Sequence, residues 1–263
     1  MIDLKETTLA TAKLAQETAK FIAAEAANFS KDKVELKGKS DLVSYVDKET
    51  EKKLVAGLSA ILPEAGFITE ENTISQDKKA YTWVIDPLDG TTNFVHGVPA
   101  YAISIGLMQG DDVVAGVIHE VTRSETFYAW KGGGAFLNEE FIHVTDASSI
   151  DESLFATGFP IHNFEKLDDY LAILNALMKD AHGLRRLGSA ATDMAYVACG
   201  RYEAFFEYNL NPWDVAAGVI IVQEAGGYVS DFKGGEDYLF GREMVAAGPV
   251  HQKLLEVIKK HWY

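Results

Sequence analysis

The chain has 263 residues, of which 48% are hydrophobic and 24% are charged, and its formal net charge is −15. This is the composition of a globular protein, and the length suffices for a sizeable core in one large domain or two small ones. The acidic balance argues against nucleic-acid partners, which need a basic surface, and against binding to anionic membranes.

A single cysteine, Cys199, makes an internal disulfide impossible, which fits a reducing compartment. Its apolar surroundings favour a buried, inert thiol over a nucleophile. The amino terminus lacks the basic start and apolar run of a secretion signal, and no segment is apolar over the length of a membrane span. We therefore expect a soluble, cytoplasmic protein.

The first 62 residues predict two helices on either side of a hairpin. Residues 3–29 and 48–62 carry apolar side chains at helical spacing, with charged residues on the opposite face. Between them, residues 34–36 are compatible with a short strand, and residues 37–47 with a turn and a return. From these residues alone, the segment can be interpreted as a solvent-exposed hairpin with no functional role.

Two glutamates follow a short apolar segment near residue 70. Phe67 and Ile68 indicate a strand, and Glu70 and Glu71 come directly after it. Alone, these acids are as compatible with a solvated strand end as with a functional site. The polar residues 72–79 that follow predict a mobile loop.

The stretch YTWVIDPLDGTTNFVH, residues 81–96, is the most informative part of the chain. Its aromatic and β-branched start predicts a strand, which Asp86 and Pro87 should stop because proline cannot continue a hydrogen-bonded ladder. Asp89 and Gly90 predict a turn, and the Thr-Thr-Asn that follows suits the cap of a helix. Carboxylates bind Mg²⁺, and N–H groups at a helix start bind phosphate. The stretch therefore indicates metal-assisted phosphoryl chemistry.

Beyond this stretch the sequence predicts an antiparallel meander and then a layered α/β half. Further strands are predicted at residues 102–107, 113–121, 125–130, 135–137, 154–157, 202–206, 228–230 and 244–247, and further helices at 168–179, 188–199, 211–224 and 252–260. The small, polar segment 145–149 marks a boundary. It divides the chain into residues 1–145, an N-terminal half, and residues 146–263, a C-terminal half, of one compact catalytic unit.

Several other kinds of site are not supported by the sequence. The histidines are scattered without paired spacing, which argues against a zinc site. The glycine run at residues 131–134 lacks the Lys-Ser/Thr of a phosphate-binding P-loop, so we interpret it as a tight turn. No G-x-S-x-G nucleophile motif is present.

The string DPLDGTTNFVH resembles the signature of the inositol monophosphatase family, which comprises Mg²⁺-dependent, lithium-sensitive phosphatases. The segments GSAATDMAYVACGRYEAFFE and NPWDVAAGVIIVQEAGG resemble that family's second signature region. Matches run in the family's order from about residue 37 to residue 227. The resemblance implies an α+β or α/β fold, a layered α–β–α–β–α sandwich of the inositol monophosphatase and fructose-1,6-bisphosphatase type, and a homodimer.

The resemblance also implies an active site that binds two to three Mg²⁺ ions, and an activity that Li⁺ and Ca²⁺ inhibit. The metal ligands that the resemblance implies for this chain are Glu70, Asp86, the backbone carbonyl of Leu88, Asp89 and Asp214. Lys37 would be the lysine of a loop near the weakest metal site, with Lys39 as the alternative. Thr69 stands where the family usually has glycine.

Roles in catalysis and substrate binding follow from the same resemblance. Thr91, oriented by Asp47, and Glu70 would position and deprotonate a metal-activated water for in-line attack, while the N–H groups of Gly90 and Thr91 hold the phosphate. The residues facing the polyol hydroxyls would be Asp89, Ser189, Ala190, Glu207 and Asp214. Glu207 would grip the inositol ring, although without the resemblance it could be a surface acid.

These observations predict an inositol monophosphatase-type phosphoric monoester hydrolase that converts inositol-1-phosphate to myo-inositol and phosphate. One alternative is a sister phosphatase acting on fructose-1,6-bisphosphate or 3′-phosphoadenosine 5′-phosphate; the T-N-F after D-G-T argues against the nucleotide branch. The other is a regulatory binding protein that keeps the fold, against which the intact ligand set argues.

Overall fold

The computed structural model of the chain describes residues 2–29, 34–36, 42–160 and 163–263. Its helices are α1 (Leu4–Ala26), α2 (Tyr45–Ile61), α3 (Thr91–His96), α4 (Leu167–Asp180), α5 (Ala190–Ala198), α6 (Pro212–Glu224) and α7 (His251–Trp262). The predicted loop lysine, Lys37 or Lys39, lies outside the described residues.

The strands form a hairpin and two larger sheets. In chain order they are β1 (Val34–Leu36), β2 (Leu42–Ser44), β3 (Gly66–Thr69), β4 (Tyr81–Asp89), β5 (Ala102–Gln109), β6 (Asp112–Glu120), β7 (Glu125–Trp130), β8 (Gly134–Leu137), β9 (Glu140–Ile142), β10 (Leu154–Thr157), β11 (Gly183–Arg185), β12 (Ala204–Tyr208), β13 (Tyr228–Ser230) and β14 (Glu243–Ala247). A 3₁₀ turn, Ile150–Glu152, precedes β10.

The two sheets differ in strand direction. The seven-stranded sheet has the order β3-β4-β5-β6-β7-β8-β9 and is antiparallel except for the parallel pair β3–β4. The five-stranded sheet has the order β11-β10-β12-β14-β13; β11, β10 and β12 run parallel, and β14 runs against its neighbours. The antiparallel meander was predicted, and so was a second half in which strands alternate with helices; the antiparallel direction of β14 was not predicted.

Five layers result. Helices α1 and α2 pack on one face of the seven-stranded sheet, α5 and α6 lie between the sheets, and α4 and α7 cover the outer face of the five-stranded sheet. The predicted α–β–α–β–α sandwich is therefore confirmed. In the part of the chain that the structure describes, no helix is long and apolar enough to cross a lipid bilayer.

Helix α6 can lie between the two sheets because it is apolar on all its faces. Its residues from Val215 to Val222 are all buried, as expected of a helix that is apolar all round. The helix lies close to the sheet at Gly106 and Gly116. A Cβ added at Gly106 would lie 2.8 Å from the Cβ of Ala216, and one added at Gly116 would lie 2.6 Å from the carbonyl oxygen of Ala217. The two glycines thus bring the amino-terminal end of α6 against the sheet edge that carries the site.

Strand β4 continues through the proline that was expected to stop it. Asp86 pairs with Ser104 and Asp89 with Ala102, and the register of β4 against β5 shifts between these two pairs. A bulge accommodates a residue without an N–H, so Pro87 interrupts the ladder without ending the strand. The prediction of a strand end at Asp86 was wrong.

Two other boundaries differ from the predicted ones. Helix α2 begins at Tyr45, not residue 48, because Ser44 and Asp47 form a capping box in which the Ser44 N–H donates to Asp47 Oδ2 at 2.8 Å. Asp47 therefore belongs to the first turn of a helix. Glu207 lies within β12, which extends to Tyr208, and not at its end.

Candidate active site

A cavity of about 400 Å³ lies where β4 meets the amino-terminal ends of α5 and α6. Residues from both halves of the chain line it. The predicted site residues in its wall are Glu70, Asp86, Leu88, Asp89, Gly90, Thr91, Ser189, Ala190, Glu207 and Asp214. Asp47 is buried behind Thr91, and Lys37 lies outside the described residues.

Glu70 and Asp86 reach the cavity because β3 and β4 run parallel and end at the same edge of the sheet. The Glu70 N–H donates to the Ile85 carbonyl oxygen at 3.2 Å, which holds the residue after β3 against β4. Asp86 is buried, and its Oδ1 accepts a hydrogen bond from the Leu88 N–H at 2.9 Å. The bulge of β4 is therefore folded around the Asp86 carboxyl group.

Thr91 is linked to Asp47 by the predicted hydrogen bond. Its Oγ1 lies 2.7 Å from Asp47 Oδ1 and 3.0 Å from the Leu88 carbonyl oxygen. A hydroxyl has one proton and two lone pairs, so with its proton directed to these acceptors Thr91 can accept from a further donor such as water. Burial raises the pKa of Asp47, against the opposing effect of hydrogen bonds from Ser44 and Thr91.

The Thr-Thr-Asn segment does not cap helix α3 as expected. The residue before the helix is Gly90, in the left-handed conformation with φ 97°, and no side chain caps the first turn. Thr91 is engaged with Asp47, and Asn93 Nδ2 donates to the carbonyl oxygens of Ala100 at 2.7 Å and Leu187 at 2.9 Å. The amide of Asn93 thus ties the two halves of the chain together beside the cavity.

The start of helix α5 binds Asp89. Asp89 Oδ2 accepts from the Ser189 hydroxyl at 2.7 Å and from the Ala191 N–H at 2.6 Å. The amino-terminal end of a helix carries partial positive charge, which favours a carboxylate in this position. Asp214, in the first turn of α6, accepts from the Asn211 N–H at 2.7 Å, so each central helix orients one acid of the site.

The acids of this cavity have raised pKa values, because burial and neighbouring negative charges outweigh the hydrogen bonds that stabilise their charged forms. Burial, the charges of Glu70, Asp89 and Asp214, and a hydrogen bond with Glu70 raise the pKa of Asp86 well above its usual range. Burial and the charge of Asp89 do the same to the pKa of Asp214. Burial raises the pKa of Asp89 to about 6 and that of Glu207 to about 8.

This donor set suits a hard divalent cation. All its groups are oxygens, which Mg²⁺ and Ca²⁺ prefer, and the mutual repulsion of the acids would be relieved by added positive charge. Within the described ranges, no three acid, imidazole or thiol groups already stand in a coordination arrangement. Glu70, Asp86, Asp89 and Asp214 are the carboxyl groups of the cavity that would hold such an ion.

Sequence reasoning missed Glu51, which organises the segment around Glu70. Glu51 is buried; its Oε1 accepts from the Thr69 hydroxyl and from the N–H and hydroxyl of Thr73, and its Oε2 accepts from the Glu71 N–H at 2.7 Å. A signal was available, because Glu51 lies at helical spacing from Leu54 and Leu58 on the apolar face of α2. Residues 72–79, predicted to be mobile, are held partly by this carboxylate.

Three more cavity residues were also missed: Gly158, Arg186 and Asp193. Gly158 follows β10 directly beside Glu207. The positive charge of Arg186 lowers the pKa of Asp89, Glu207 and Asp193, against the dominant effect of burial. Asp193 could have been noticed as the one acid in the otherwise uncharged segment AATDMAYVA of α5.

Comparisons with known proteins agree with the fold. The model of the inositol monophosphatase family matches residues 3–263. An inositol-1-monophosphatase of Mesorhizobium japonicum is 41% identical over 229 residues, 86% of each chain. A protein of Neisseria meningitidis serogroup B named "Putative Nus factor SuhB" is 40% identical over 252 residues, 95% of this chain and 96% of that one.

A solved structure, the extragenic suppressor protein suhB of Bartonella henselae, has the same architecture. It superimposes with a TM-score of 0.91 at 36% sequence identity, covering 97% of this chain and 99% of that one. The similarity therefore extends over the whole chain.

Proposed function

Because the chain belongs to the inositol monophosphatase family, which supports phosphatase activity, we propose that it is a Mg²⁺-dependent phosphate monoester hydrolase acting on inositol-1-phosphate. The observation that carries the proposal is the meeting of Glu70, Asp86, Asp89 and Asp214 at one cavity, where burial and the charges of neighbouring acids raise the pKa of Asp86 and of Asp214. Such a cluster is costly to fold unless a cation compensates its charge.

The proposed ion site is made of the groups that the family resemblance named. The ions would be held by the carboxylates of Glu70, Asp86, Asp89 and Asp214 and by the carbonyl oxygen of Leu88. Bound Mg²⁺ would neutralise the phosphate dianion, generate the nucleophile and stabilise the departing alkoxide. The side chains then have to orient the phosphate, the attacking water and the polyol.

Thr91 is proposed to position the attacking water. Its hydroxyl proton is directed to Asp47 and to the Leu88 carbonyl, so its oxygen can accept from the water and fix its direction. Glu70 would take the water's proton as general base, and Asp47 would orient Thr91 rather than touch the water. The N–H groups of Gly90 and Thr91 would hold the phosphate, at the start of α3, where Gly90 has a left-handed backbone and no side chain caps the helix.

The polyol would lie toward the second half of the cavity. Glu207 is half-buried there, and its pKa is raised to about 8, so it can donate to or accept from a ring hydroxyl near neutral pH. Ser189, Ala190 and Asp214 border the same region. A cavity of about 400 Å³ has room for one sugar-sized molecule with its phosphate.

A second candidate role is regulatory binding by the same fold. One observation favours it, the name "Putative Nus factor SuhB" carried by a relative that is 40% identical. The two roles can be distinguished by experiment, because a protein that acts only by binding a partner need not hydrolyse any phosphate ester. Absence of phosphate release from every polyol phosphate tested would favour this second role.

The primary test is phosphate release from a panel of monoesters, each with Mg²⁺ and with EDTA. The panel holds inositol-1-phosphate, glycerol-2-phosphate, fructose-1,6-bisphosphate and 3′-phosphoadenosine 5′-phosphate. We expect turnover only with Mg²⁺, with the highest kcat/KM for inositol-1-phosphate and inhibition by Li⁺. Full activity in EDTA would exclude the metal mechanism, and a higher kcat/KM for the bisphosphate or the nucleotide would reassign the substrate.

A further inference from the structure

A second cavity, of about 930 Å³, lies between helix α1 and the strands β7, β8 and β9 at one edge of the seven-stranded sheet. Of the described residues, none lines both this cavity and the candidate active site. Its volume is that of a binding site for a small molecule, and such sites are typically lined by apolar and aromatic side chains with a few polar groups. The two walls of the cavity differ in chemistry.

Aromatic side chains form the wall on the sheet: Tyr128, Trp130, Phe136 and Phe141. The rings of Tyr128, Trp130 and Phe136 lie within 10° of parallel, with centroids 5.2 to 6.5 Å apart, and Phe141 continues the series at 4.3 Å from Phe136. Among the strands, helix α1 packs mainly on β5, β6 and β7. The series therefore runs from Tyr128, which is buried, to Phe141, which is 64% exposed, so the protein covers only one end of this aromatic wall.

Two glycines of the run at residues 131–134 make room for the aromatic wall. A Cβ added at Gly133 would lie 2.1 Å from the Trp130 ring, and one added at Gly134 would lie 2.9 Å from the Phe141 ring. Any larger residue would displace these rings. The glycine run, which takes no part in the candidate active site, therefore shapes the second cavity.

The wall on helix α1 carries positive charge. Lys5 and Lys13 line the cavity about two helical turns apart, and both are exposed. Neither has an ion-pair partner in the part of the chain that the structure describes. The acid in the described lining is Glu139. Aromatic rings also attract cations, but the two lysines would repel a cation and attract an anion.

We propose that this cavity binds a planar aromatic anion. Its ring system packs against the aromatic wall, since aromatic rings attract each other in offset-stacked and edge-to-face arrangements. Its anionic group faces Lys5 and Lys13. An uncharged ring would lose the attraction of the lysines, and a saturated anion would lose the aromatic contacts. The site is separate from the proposed phosphatase activity and does not depend on it.

Ligand-observed NMR titration of the full chain with 2-naphthoate tests the proposal without turnover. The uncharged counterpart is 2-naphthamide, and the saturated counterpart is decahydro-2-naphthoate. We expect a Kd of about 1 mM for 2-naphthoate, the value for a ligand of this size at ordinary efficiency. The amide should bind about threefold more weakly, and the saturated acid about fivefold more weakly. Equal binding of all three, or no binding of 2-naphthoate, would overturn the proposal.

Substitutions of exposed residues assign the binding to this cavity. Phe141→Ser should weaken binding of 2-naphthoate about fivefold. Lys13→Gln should weaken it about threefold and leave the binding of 2-naphthamide unchanged. The controls are Phe240→Ser and Lys20→Gln, which change exposed side chains outside the cavity and should bind as the wild type does. Equal weakening by the control and the cavity variants would place the ligand elsewhere and overturn the proposal.

A second copy of the chain is the competing occupant of the aromatic wall. The wild type and Phe141→Ser should elute alike in gel filtration at equal concentration, because the proposed occupant is a small molecule. Earlier elution of the wild type than of Phe141→Ser, together with no binding of 2-naphthoate, would show that this wall is an interface between copies, contrary to the proposal.

Discussion

At the scale of single residues, Glu207 keeps its place in the cavity only because residue 158 has no side chain. Gly158 and Glu207 follow neighbouring positions of the parallel strands β10 and β12, and a Cβ at Gly158 would overlap the Glu207 carboxyl group. Sequence patterns identified the acid and missed the glycine. The contact between them joins residues almost fifty positions apart, and no local pattern reports it.

Substitution of Gly158 should therefore mimic loss of Glu207. Gly158→Ala would push the carboxyl group aside, so we expect the KM for inositol-1-phosphate to rise about tenfold, roughly one hydrogen bond to a ring hydroxyl. The KM for glycerol-2-phosphate should change little, as in Glu207→Ala. An unchanged KM for inositol-1-phosphate in Gly158→Ala, with Glu207→Ala affected, would show that Glu207 does not depend on this glycine.

His119 makes stability depend on pH through its burial in the seven-stranded sheet. Burial lowers its pKa from 6.5 to about 4. The unfolded chain therefore binds a proton that the folded chain excludes between these values, and stability falls as pH drops from 6.5 towards 4. Over that whole range the loss amounts to about 3 kcal/mol, from 1.36 kcal/mol per pKa unit.

Urea unfolding of the wild type and His119→Gln at pH 7 and pH 5 measures this effect. The free energy of unfolding should fall less between the two pH values in His119→Gln than in the wild type. The exposed His143→Gln serves as the control and should follow the wild type. Identical pH dependence in wild type and His119→Gln would contradict a depressed pKa for His119.

At the scale of elements, helix α2 supports the site from behind the sheet. Its first turn supplies Asp47 to Thr91, and its second turn supplies Glu51 to the segment that carries Glu70. The predicted helix began after Asp47, because hydrophobic spacing locates the apolar face of a helix but not its capping residues. Spacing therefore could indicate that Glu51 is buried, but it could not place Asp47 in the first turn of α2.

Glu51→Gln should weaken cation binding without touching the cation ligands. An amide NH₂ in place of one carboxylate oxygen would face an N–H donor, so at least one hydrogen bond is lost, at a cost of about 1.5–3 kcal/mol for a charged acceptor. We expect a higher half-saturating Mg²⁺ concentration for phosphate release and a lower melting temperature in EDTA.

The control for this substitution lies on the same helix. The side chain of Glu49 is 47% exposed and pairs only with Lys52 in the described contacts, so Glu49→Gln should leave both quantities unchanged. An unchanged Mg²⁺ dependence in Glu51→Gln would show that the Glu70 segment is positioned by β3 alone.

At the scale of the whole molecule, the site exists because the two sheets enclose α5 and α6. The ends of these helices bring Ser189 and Asp214 to the edge where β3 and β4 deliver Glu70 and Asp86. The element types and the five layers were predictable from periodicity together with the family signature. The bulge in β4 was not, because it depends on how Pro87 is accommodated between Asp86 and its partner strand.

The central claim is that the assembled carboxylate cluster binds Mg²⁺, and Asp86 is the acid most affected by the other three. Asp86→Asn keeps the shape and can still donate to Glu70, but it removes one charge. In EDTA its melting temperature should exceed that of the wild type, because a buried acid with a raised pKa destabilises the folded state at neutral pH.

Thermal melting of wild type and Asp86→Asn across a Mg²⁺ titration tests this claim most directly. Ligand binding to the folded state alone should stabilise the wild type by about 2.7 kcal/mol at a hundredfold excess of Mg²⁺ over its Kd. The exposed Asp112→Asn, with the same change of charge far from the cavity, should respond as the wild type does. The account predicts a much smaller Mg²⁺-induced rise for Asp86→Asn; an equal rise in all three proteins would contradict it.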